Sequence, residues 1–279
     1  MEAAPEGHHR RARGRGLNRG QVPAPAVEVA RYAYGPDPSQ YAELYVPAVR
    51  SRRTAAVIIH GGYWRAAYGA GLGRPLARDL AGRGWLCWNL EYRRAGNGGG
   101  WPQTFEDVAA GIDALAAAAA GRGLPLDRVA ALGHSAGGQL AVWAAGRGRL
   151  PAGAPGGAPV LRLDAVLSQS GVLDLRRARE LGLSDGAVDN FLGADPDREP
   201  ERHRLADPVS QVPLDVPVYA FHGSSDDTVP AELARSYVAA AGAAGGRAEL
   251  IVVPGVHFAL IDPASAAMDA VRGVLAGLG

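Results

Sequence analysis

Cysteine is nearly absent from this sequence of 279 residues, in which Cys87 is the only one. A lone cysteine excludes a disulfide within the chain. Low cysteine content also fits a reducing compartment, where thiols stay reduced. We therefore expect a cytoplasmic protein.

Long apolar runs and an excess of charge of either sign are also missing. The longest apolar stretches, such as Ala114–Ala120, are far shorter than the ~20 residues that cross a bilayer. The 29 basic side chains are matched by 28 acidic ones, so the balance gives no electrostatic signature of nucleic-acid or membrane binding. A small-molecule substrate is the partner we expect, with the chain a monomer or a homodimer.

Sequence patterns that bind metals or cofactors are missing too. No spacing of His, Cys, Asp and Glu resembles a zinc or calcium site. The glycine-rich pieces Gly69–Gly73 and Gly98–Gly100 lack the strand and helix that flank a dinucleotide-binding loop. We predict neither a metal nor a cofactor.

The first 26 residues differ from the rest in composition. They hold a cluster of arginines between Arg10 and Arg19, and no apolar run follows the cluster as a signal peptide requires. We interpret residues 1–26 as a disordered basic tail or as the product of a start codon placed too early. The folded domain is expected to cover residues 27–279.

Apolar runs alternate with stretches of helical spacing along most of this domain. Two half-buried strands joined by the turn Gly35–Pro38 predict an N-terminal hairpin, and later continuous apolar runs predict strands buried on both faces. The predicted strands are Val27–Tyr34, Tyr41–Val46, Ala55–Ile59, Trp85–Leu90, Val129–Leu132, Ala165–Leu167, Val216–Phe221 and Leu250–Val253. The predicted helices are Leu76–Gly82, Thr104–Ala120, Gly137–Ala145, Ala231–Ala240 and Pro263–Ala276. The pattern predicts an α/β fold with a mostly parallel sheet flanked by helices.

One charged region interrupts this alternation. Residues 174–208 lie between two predicted strands and contain one or two short helical patterns, Leu175–Leu181 and Ala187–Leu192. Insertions at this place often cover a site at the edge of the sheet. We predict a small helical cap.

The strongest motif is Gly133-His134-Ser135-Ala136-Gly137, which fits G-x-S-x-G. An apolar run precedes it and a helical pattern follows it, which is the context of a nucleophile on a sharp strand-to-helix turn. Ser135 is the predicted nucleophile. A serine hydroxyl needs a base to take its proton and a group to orient that base.

Two later loops supply these groups in the order acid, then histidine. Asp226 follows the apolar run that ends at Phe221, and His257 follows the next run. Asp227 is the rival carboxylate, and we favour Asp226 because it fits the motif H-G-x-x-D-x-x-V-P. The histidines beside glycines, His60, His134 and His222, are interpreted as bracing turns.

Donors for a developing oxyanion are expected from two places. One is the backbone N–H of Ala136, the residue after the nucleophile. The others are expected in the loop His60-Gly61-Gly62-Tyr63-Trp64, with Gly61, Gly62 and Tyr63 as the donors, because glycines let the backbone approach a substrate closely.

With these motifs, the chain resembles the arylformamidase (kynurenine formamidase) and carboxylesterase branch of the α/β-hydrolases from about Val27 onward. The stretch His60–Trp64 matches the H-G-G-x-W signature of kynurenine formamidases. The resemblance implies a serine-dependent hydrolase of a small ester or an aryl-formamide, such as N-formylkynurenine, without a metal. Trp64, Trp101 and Phe258 are candidates to line an aromatic substrate pocket.

Two other functions compete with this one. The first is a carboxylesterase of broad small-ester specificity. The second is a non-catalytic binding module on the same fold, which usually lacks a member of the triad. Here Ser135, Asp226 and His257 are all present.

Overall fold

A computed structural model describes residues 27–278. The predicted tail, residues 1–26, lies outside the described residues. The strands are β1 (Val27–Ala33), β2 (Tyr41–Pro47), β3 (Thr54–Ile59), β4 (Leu86–Leu90), β5 (Arg128–His134), β6 (Ala165–Gln169), β7 (Val218–Gly223) and β8 (Ala248–Val253). The helices are α1 (Arg74–Gly82), α2 (Gln103–Ala120), α3 (Ala136–Ala145), α4 (Leu175–Glu180), α5 (Leu183–Leu192), α6 (Pro200–Ala206), α7 (Ala231–Ala243) and α8 (Ala266–Gly277).

These strands form one sheet of eight in the order β1-β2-β4-β3-β5-β6-β7-β8. Strand β2 pairs antiparallel with both β1 and β4, and every other pairing is parallel. The N-terminal hairpin and the mostly parallel sheet predicted from the sequence are confirmed. The carboxyl ends of β3, β5, β6, β7 and β8 consequently lie at one edge of the sheet.

Burial explains why the central strands are continuous apolar runs. Every residue of β3, β4 and β6 is buried, because helices cover both faces of the sheet. On one face, apolar side chains of α1 and α8 pack under the strands. On the other face, α2, α3, α7 and the cap enclose a larger cluster that contains Trp88, Phe105 and Trp143. The sheet is therefore a rigid support for the loops at its edge.

The predicted cap is present between β6 and β7 and has three helices. Two of them, α4 and α5, fall where the sequence predicts helices, and the regular part of α5 begins at Ala187, after a left-handed stretch at Ser184–Gly186. The third, α6, was missed. Its sequence, Pro200-Glu-Arg-His-Arg-Leu-Ala206, carries few apolar residues, so its periodicity is weak.

A buried carboxyl, that of Asp207, joins the two ends of this cap. Oδ1 of Asp207 accepts hydrogen bonds from the backbone N–H groups of Leu175, at the start of α4, and Val209. Burial raises the pKa of Asp207 from 3.8 to about 6, despite these hydrogen bonds. The Asp207 carboxyl therefore binds its proton more tightly in the folded state than in the unfolded state.

This shift has a testable sign. A raised carboxyl pKa stabilises the fold below about pH 4, and the contribution is lost as pH rises through about 6. Asp207→Asn keeps an oxygen for both hydrogen bonds and cannot ionise. We expect the difference in free energy of unfolding, variant minus wild type, to increase by about 2 kcal/mol from pH 4 to pH 7. Urea unfolding at both pH values measures this, and a constant difference would contradict it.

None of the helices within residues 27–278 is long and apolar enough to cross a membrane. The cytoplasmic location and the oligomeric state stay predictions.

Candidate active site

Four loops meet where the parallel strands end. The loop His60–Trp64 follows β3, Ser135 follows β5, Asp226 follows the end of β7, and His257 follows β8. The carboxyl edge of an open parallel sheet is the usual ligand-binding region of such folds. The residues predicted from three distant parts of the sequence therefore lie at one edge of the sheet.

Ser135 occupies a strained turn between β5 and α3. Its backbone angles are φ 56° and ψ −121°, a conformation that residues other than glycine rarely adopt. The surrounding chain fixes this conformation, because the N–H of Ser135 donates to the Gln169 carbonyl at 2.8 Å and its carbonyl accepts from the Gly138 N–H at 2.9 Å. Ala136 follows as the first residue of α3 and is fully buried. This is the geometry of a nucleophile elbow.

The structure distinguishes the two adjacent carboxylates. The side chain of Asp226 is fully buried, and its Oδ2 lies 2.8 Å from Nδ1 of His257. Its Oδ1 accepts the backbone N–H groups of Thr228 and Val229, each at 2.9 Å. Asp227 is exposed and contacts the Thr228 hydroxyl at 3.2 Å. Asp226 is thus the carboxylate that orients His257.

These contacts set the charge and the tautomer of the pair. Burial by itself raises the pKa of Asp226, but the hydrogen bonds from His257 and from the Val229 N–H outweigh burial and lower this pKa well below its ordinary value. The ionised carboxylate only accepts, so Nδ1 of His257 carries the proton that faces it. Nε2 of His257 is therefore the nitrogen left to act as a base.

The His60–Trp64 loop lies directly against the nucleophile. A β-carbon built on Gly61 would lie 2.9 Å from Cβ of Ser135 and 2.7 Å from the His134 carbonyl oxygen, so no larger residue fits. Gly62, Tyr63 and Trp64 have φ values of 111°, 49° and 54°, three successive left-handed residues. The hydroxyl of Tyr63 donates to the Thr228 carbonyl at 2.8 Å, which joins this loop to the loop of Asp226.

His134, interpreted from the sequence as bracing a turn, lies beside the catalytic candidates. Its Nε2 is 3.1 Å from the carbonyl oxygen of His257, and its ring packs on the His257 ring with centroids 4.5 Å apart. Burial and the neighbouring His257 lower the pKa of His134 to about 3, so its ring is neutral at physiological pH. It holds the turn that carries His257.

A cavity of about 200 Å³ opens on Ser135 and His257. Its other lining residues are Gly62, Tyr63, Tyr68, Leu72, His134, Thr228 and Phe258. Phe258 was predicted to line the pocket and does so, at the mouth, with 55% of its surface exposed. Tyr68, Leu72 and Thr228 were not predicted from the sequence. Only Thr228 had a sequence signal, because it lies two residues after Asp226.

The pocket prediction is wrong for Trp64 and Trp101, neither of which lines this cavity. Trp64 is buried in the core: its indole N–H donates to Oε1 of Gln139 at 3.0 Å, and its ring stacks on Phe191 of the cap at 4.5 Å. Trp101 is half-buried with its ring edge-on to Phe105. The Trp64 side chain packs the cap against the domain, and the Trp101 side chain packs against α2.

Trp64 in the core and Phe258 at the cavity mouth should respond differently to substitution. Trp64→Phe leaves the buried Gln139 oxygen without its donor, and we expect the free energy of unfolding to fall by about 2 kcal/mol or more. Phe258→Ala removes an exposed side chain at the cavity mouth, so stability should hardly change while KM for an ester substrate rises. Thermal unfolding and steady-state kinetics of both variants check this. A lower stability of the Phe258 variant alone would contradict it.

The sheet, the elbow and the Asp226–His257 pair define the class of protein: the chain is an α/β-hydrolase. The family model BD-FAE matches residues 42–240. The chain belongs to this family, an α/β-hydrolase family of esterases.

Similar proteins agree with this assignment. Esterase LipC of Mycobacterium tuberculosis is 31% identical over 224 residues, which cover 76% of this chain and 54% of LipC. The probable carboxylic ester hydrolase LipM of the same organism is 30% identical over 192 residues, 66% of this chain and 44% of LipM. The chain thus spans about half the length of the curated relatives it matches.

Solved structures share the fold. Esterase B of Lactobacillus rhamnosis has a TM-score of 0.76 at 23% identity, covering 91% of this chain and 84% of that one. The propionate-bound thermophilic esterase Est2 of Thermogutta terrifontis has a TM-score of 0.67 at 25% identity, covering 93% and 96%.

Proposed function

We propose that this chain is a serine-dependent carboxylesterase that cleaves small neutral esters through an acyl-enzyme on Ser135. The observation that carries the proposal is the shared cavity. Ser135 and His257 line it together, His257 is oriented by the ionised Asp226, and the residues that line it within 27–278 include no Asp, Glu or Arg. The names of LipC and LipM support an ester substrate, and the propionate bound to Est2 supports a short acyl group.

The proposed reaction has two halves, acylation of Ser135 and deacylation, and His257 transfers protons in both. Nε2 of His257 takes the hydroxyl proton of Ser135 while Oγ attacks the ester carbonyl carbon. The oxyanion is stabilised by the N–H of Ala136 and by N–H groups of the Gly61–Tyr63 loop. His257 then gives its proton to the leaving alcohol, and the acyl group stays on Ser135. A water molecule, deprotonated by His257, then attacks the acyl carbon. The bond to Oγ of Ser135 breaks, the carboxylic acid leaves, and His257 returns the proton to Oγ.

Hydrolysis of an aryl-formamide is the second candidate. The aromatic side chains of Tyr63, Tyr68 and Phe258 around the cavity favour an aryl group. N-formylkynurenine, however, carries an ammonium and a carboxylate group. Within the described part of the chain, the cavity lining offers no Asp, Glu or Arg side chain to either of them, and burying an unpaired charge is unfavourable. We therefore place neutral esters first.

One comparison of substrates tests this order. Purified protein is assayed with p-nitrophenyl acetate, p-nitrophenyl butyrate and N-formylkynurenine under the same conditions. We expect kcat/KM for the better ester to exceed that for the formamide by about tenfold or more, since unpaired charges oppose binding of the formamide. A higher kcat/KM for N-formylkynurenine would reverse the assignment.

A non-catalytic binding module is tested separately. A fluorophosphonate probe reacts with an activated serine and should label the folded protein at Ser135. Heat-denatured protein is the control. Failure of the folded protein to label would favour the binding module over any hydrolase.

A further inference from the structure

A buried group of charged side chains lies behind the His60–Trp64 loop, outside the Ser135–His257–Asp226 site. It consists of His60, Glu91 and Arg94, whose side chains are 0%, 8% and 7% exposed. His60 immediately precedes Gly61, which contacts the nucleophile. Any charge on this group therefore lies next to the proposed oxyanion loop.

Both ring nitrogens of His60 face acceptors. Nδ1 is 2.8 Å from the carbonyl oxygen of Gly61, and Nε2 is 3.0 Å from Oε1 of Glu91. A neutral imidazole has a single N–H, so one of these contacts would then join two acceptors. Two N–H groups satisfy both contacts, which makes the ring an imidazolium.

Glu91 is the ionised partner that this arrangement needs. Its Oε2 accepts the Ala70 N–H at 2.8 Å, and its Oε1 accepts the Tyr92 N–H at 2.9 Å as well as a guanidinium N–H of Arg94. Burial raises the pKa of Glu91, but the hydrogen bond from His60 and the other donors outweigh burial and lower it. A protonated Glu91 would lose these charge-assisted bonds.

The other groups around His60 are compatible with a cation. The Tyr92 ring stacks on the imidazole with centroids 4.3 Å apart and planes 10° apart, an arrangement in which an aromatic face attracts positive charge. His134, which lies against Gly61, is neutral. Glu43, a buried carboxylate on the neighbouring strand β2, is bound by Arg74 and Asn89.

We propose that His60 is held as an imidazolium between Gly61 and Glu91, so that a buried positive charge lies behind the loop proposed to bind the oxyanion. With Arg94, the group contains two cations and one carboxylate, and burial limits their screening by water. His60 does not touch the substrate. It is a positioning residue that fixes the Gly61 carbonyl and biases the loop toward negative charge. The catalytic part of this inference rests on the proposed function.

The protonation state can be measured without any substrate. Histidine side-chain ¹H–¹⁵N spectra of the labelled wild-type protein, assigned with His60→Gln, report the proton on each ring nitrogen. We expect both nitrogens of His60 to carry a proton at neutral pH, because each of them faces an acceptor. His134 is the internal control, with one protonated nitrogen. A single protonated nitrogen on His60 would overturn the proposal.

A matched pair of variants tests the effect on the loop. In His60→Gln, the imidazolium charge is lost while the side-chain amide can still donate to Glu91, so the group changes from net positive to neutral. We expect the rate constant for fluorophosphonate labelling of Ser135 to fall by about tenfold. Glu43→Gln removes a carboxylate of the neighbouring strand that does not reach the loop, and should stay within about twofold. Equal rates in the two variants would overturn the electrostatic role. If the wild type itself fails to label, the proposed function fails, and the histidine spectra still decide the state of His60.

Discussion

Ser135→Ala is expected to lower kcat for a p-nitrophenyl ester by about 10⁴-fold or more, because the acyl-enzyme can no longer form. The strained turn has φ 56°, and alanine keeps the same backbone hydrogen bonds to Gln169 and Gly138. The loss should therefore be in chemistry, with circular dichroism and thermal unfolding close to the wild type. Fluorophosphonate labelling should disappear together with turnover.

Ser224→Ala is the matched control for this experiment. Ser224 is exposed on the loop between β7 and Asp226, so its hydroxyl lies outside the cavity. Its kcat should stay within about twofold of the wild type, as is usual for exposed positions. Near-wild-type turnover in Ser135→Ala would refute the acyl-enzyme mechanism.

The second large effect is expected from Asp226→Asn. The Oδ1 position of Asp226 accepts two backbone N–H groups, from Thr228 and Val229, so the amide oxygen of an asparagine has to take that position. The amide NH₂ then faces Nδ1 of His257. A donor at this place favours the tautomer with its proton on Nε2, which cannot take the proton of Ser135. We expect kcat to fall by about 10⁴-fold.

Asp227→Asn separates this effect from a general change in the loop. Asp227 is exposed, and its only side-chain hydrogen bond within the described residues is to the adjacent Thr228. Its kcat should stay within about threefold of the wild type, the range typical of exposed substitutions. If Asp227→Asn were the more damaging change, the assignment of the acid would be wrong. The lowered pKa of Asp226 keeps the carboxylate ionised at physiological pH, so the comparison holds at neutral pH.

The fold and the outline of the site could be predicted because their signals are local. Strands β3, β4 and β6 are mostly apolar because both of their faces are covered, and this burial is visible in the sequence itself. The turn at Ser135 requires small neighbours, since a β-carbon on Gly133 or Gly137 would lie 2.1 Å from a backbone carbonyl oxygen. The glycines of the motif are therefore required because neighbouring backbone segments approach closely there. Helix α6 was missed because its local signal is weak.

Trp64 shows where local signals end. Its place in a predicted site loop suggested a pocket residue, but its partners are Gln139 and Phe191, which are far away in the sequence. A tryptophan side chain is equally suited to a cavity wall and to a core in which its N–H finds an acceptor. The arrangement of the cap decides between the two, and the sequence carries no short-range record of it.

By itself, the sequence determined the parallel sheet, the strained serine turn, and the order in which serine, acid and histidine follow their strands. Each of these depends on the periodicity or the backbone requirements of a few adjacent residues. Only the tertiary structure decided that Asp226 rather than Asp227 meets His257, that Tyr68 and Leu72 line the cavity while Trp64 does not, and that both nitrogens of His60 face acceptors. These outcomes depend on which distant groups come within hydrogen-bonding or packing distance, and only the folded chain fixes those distances.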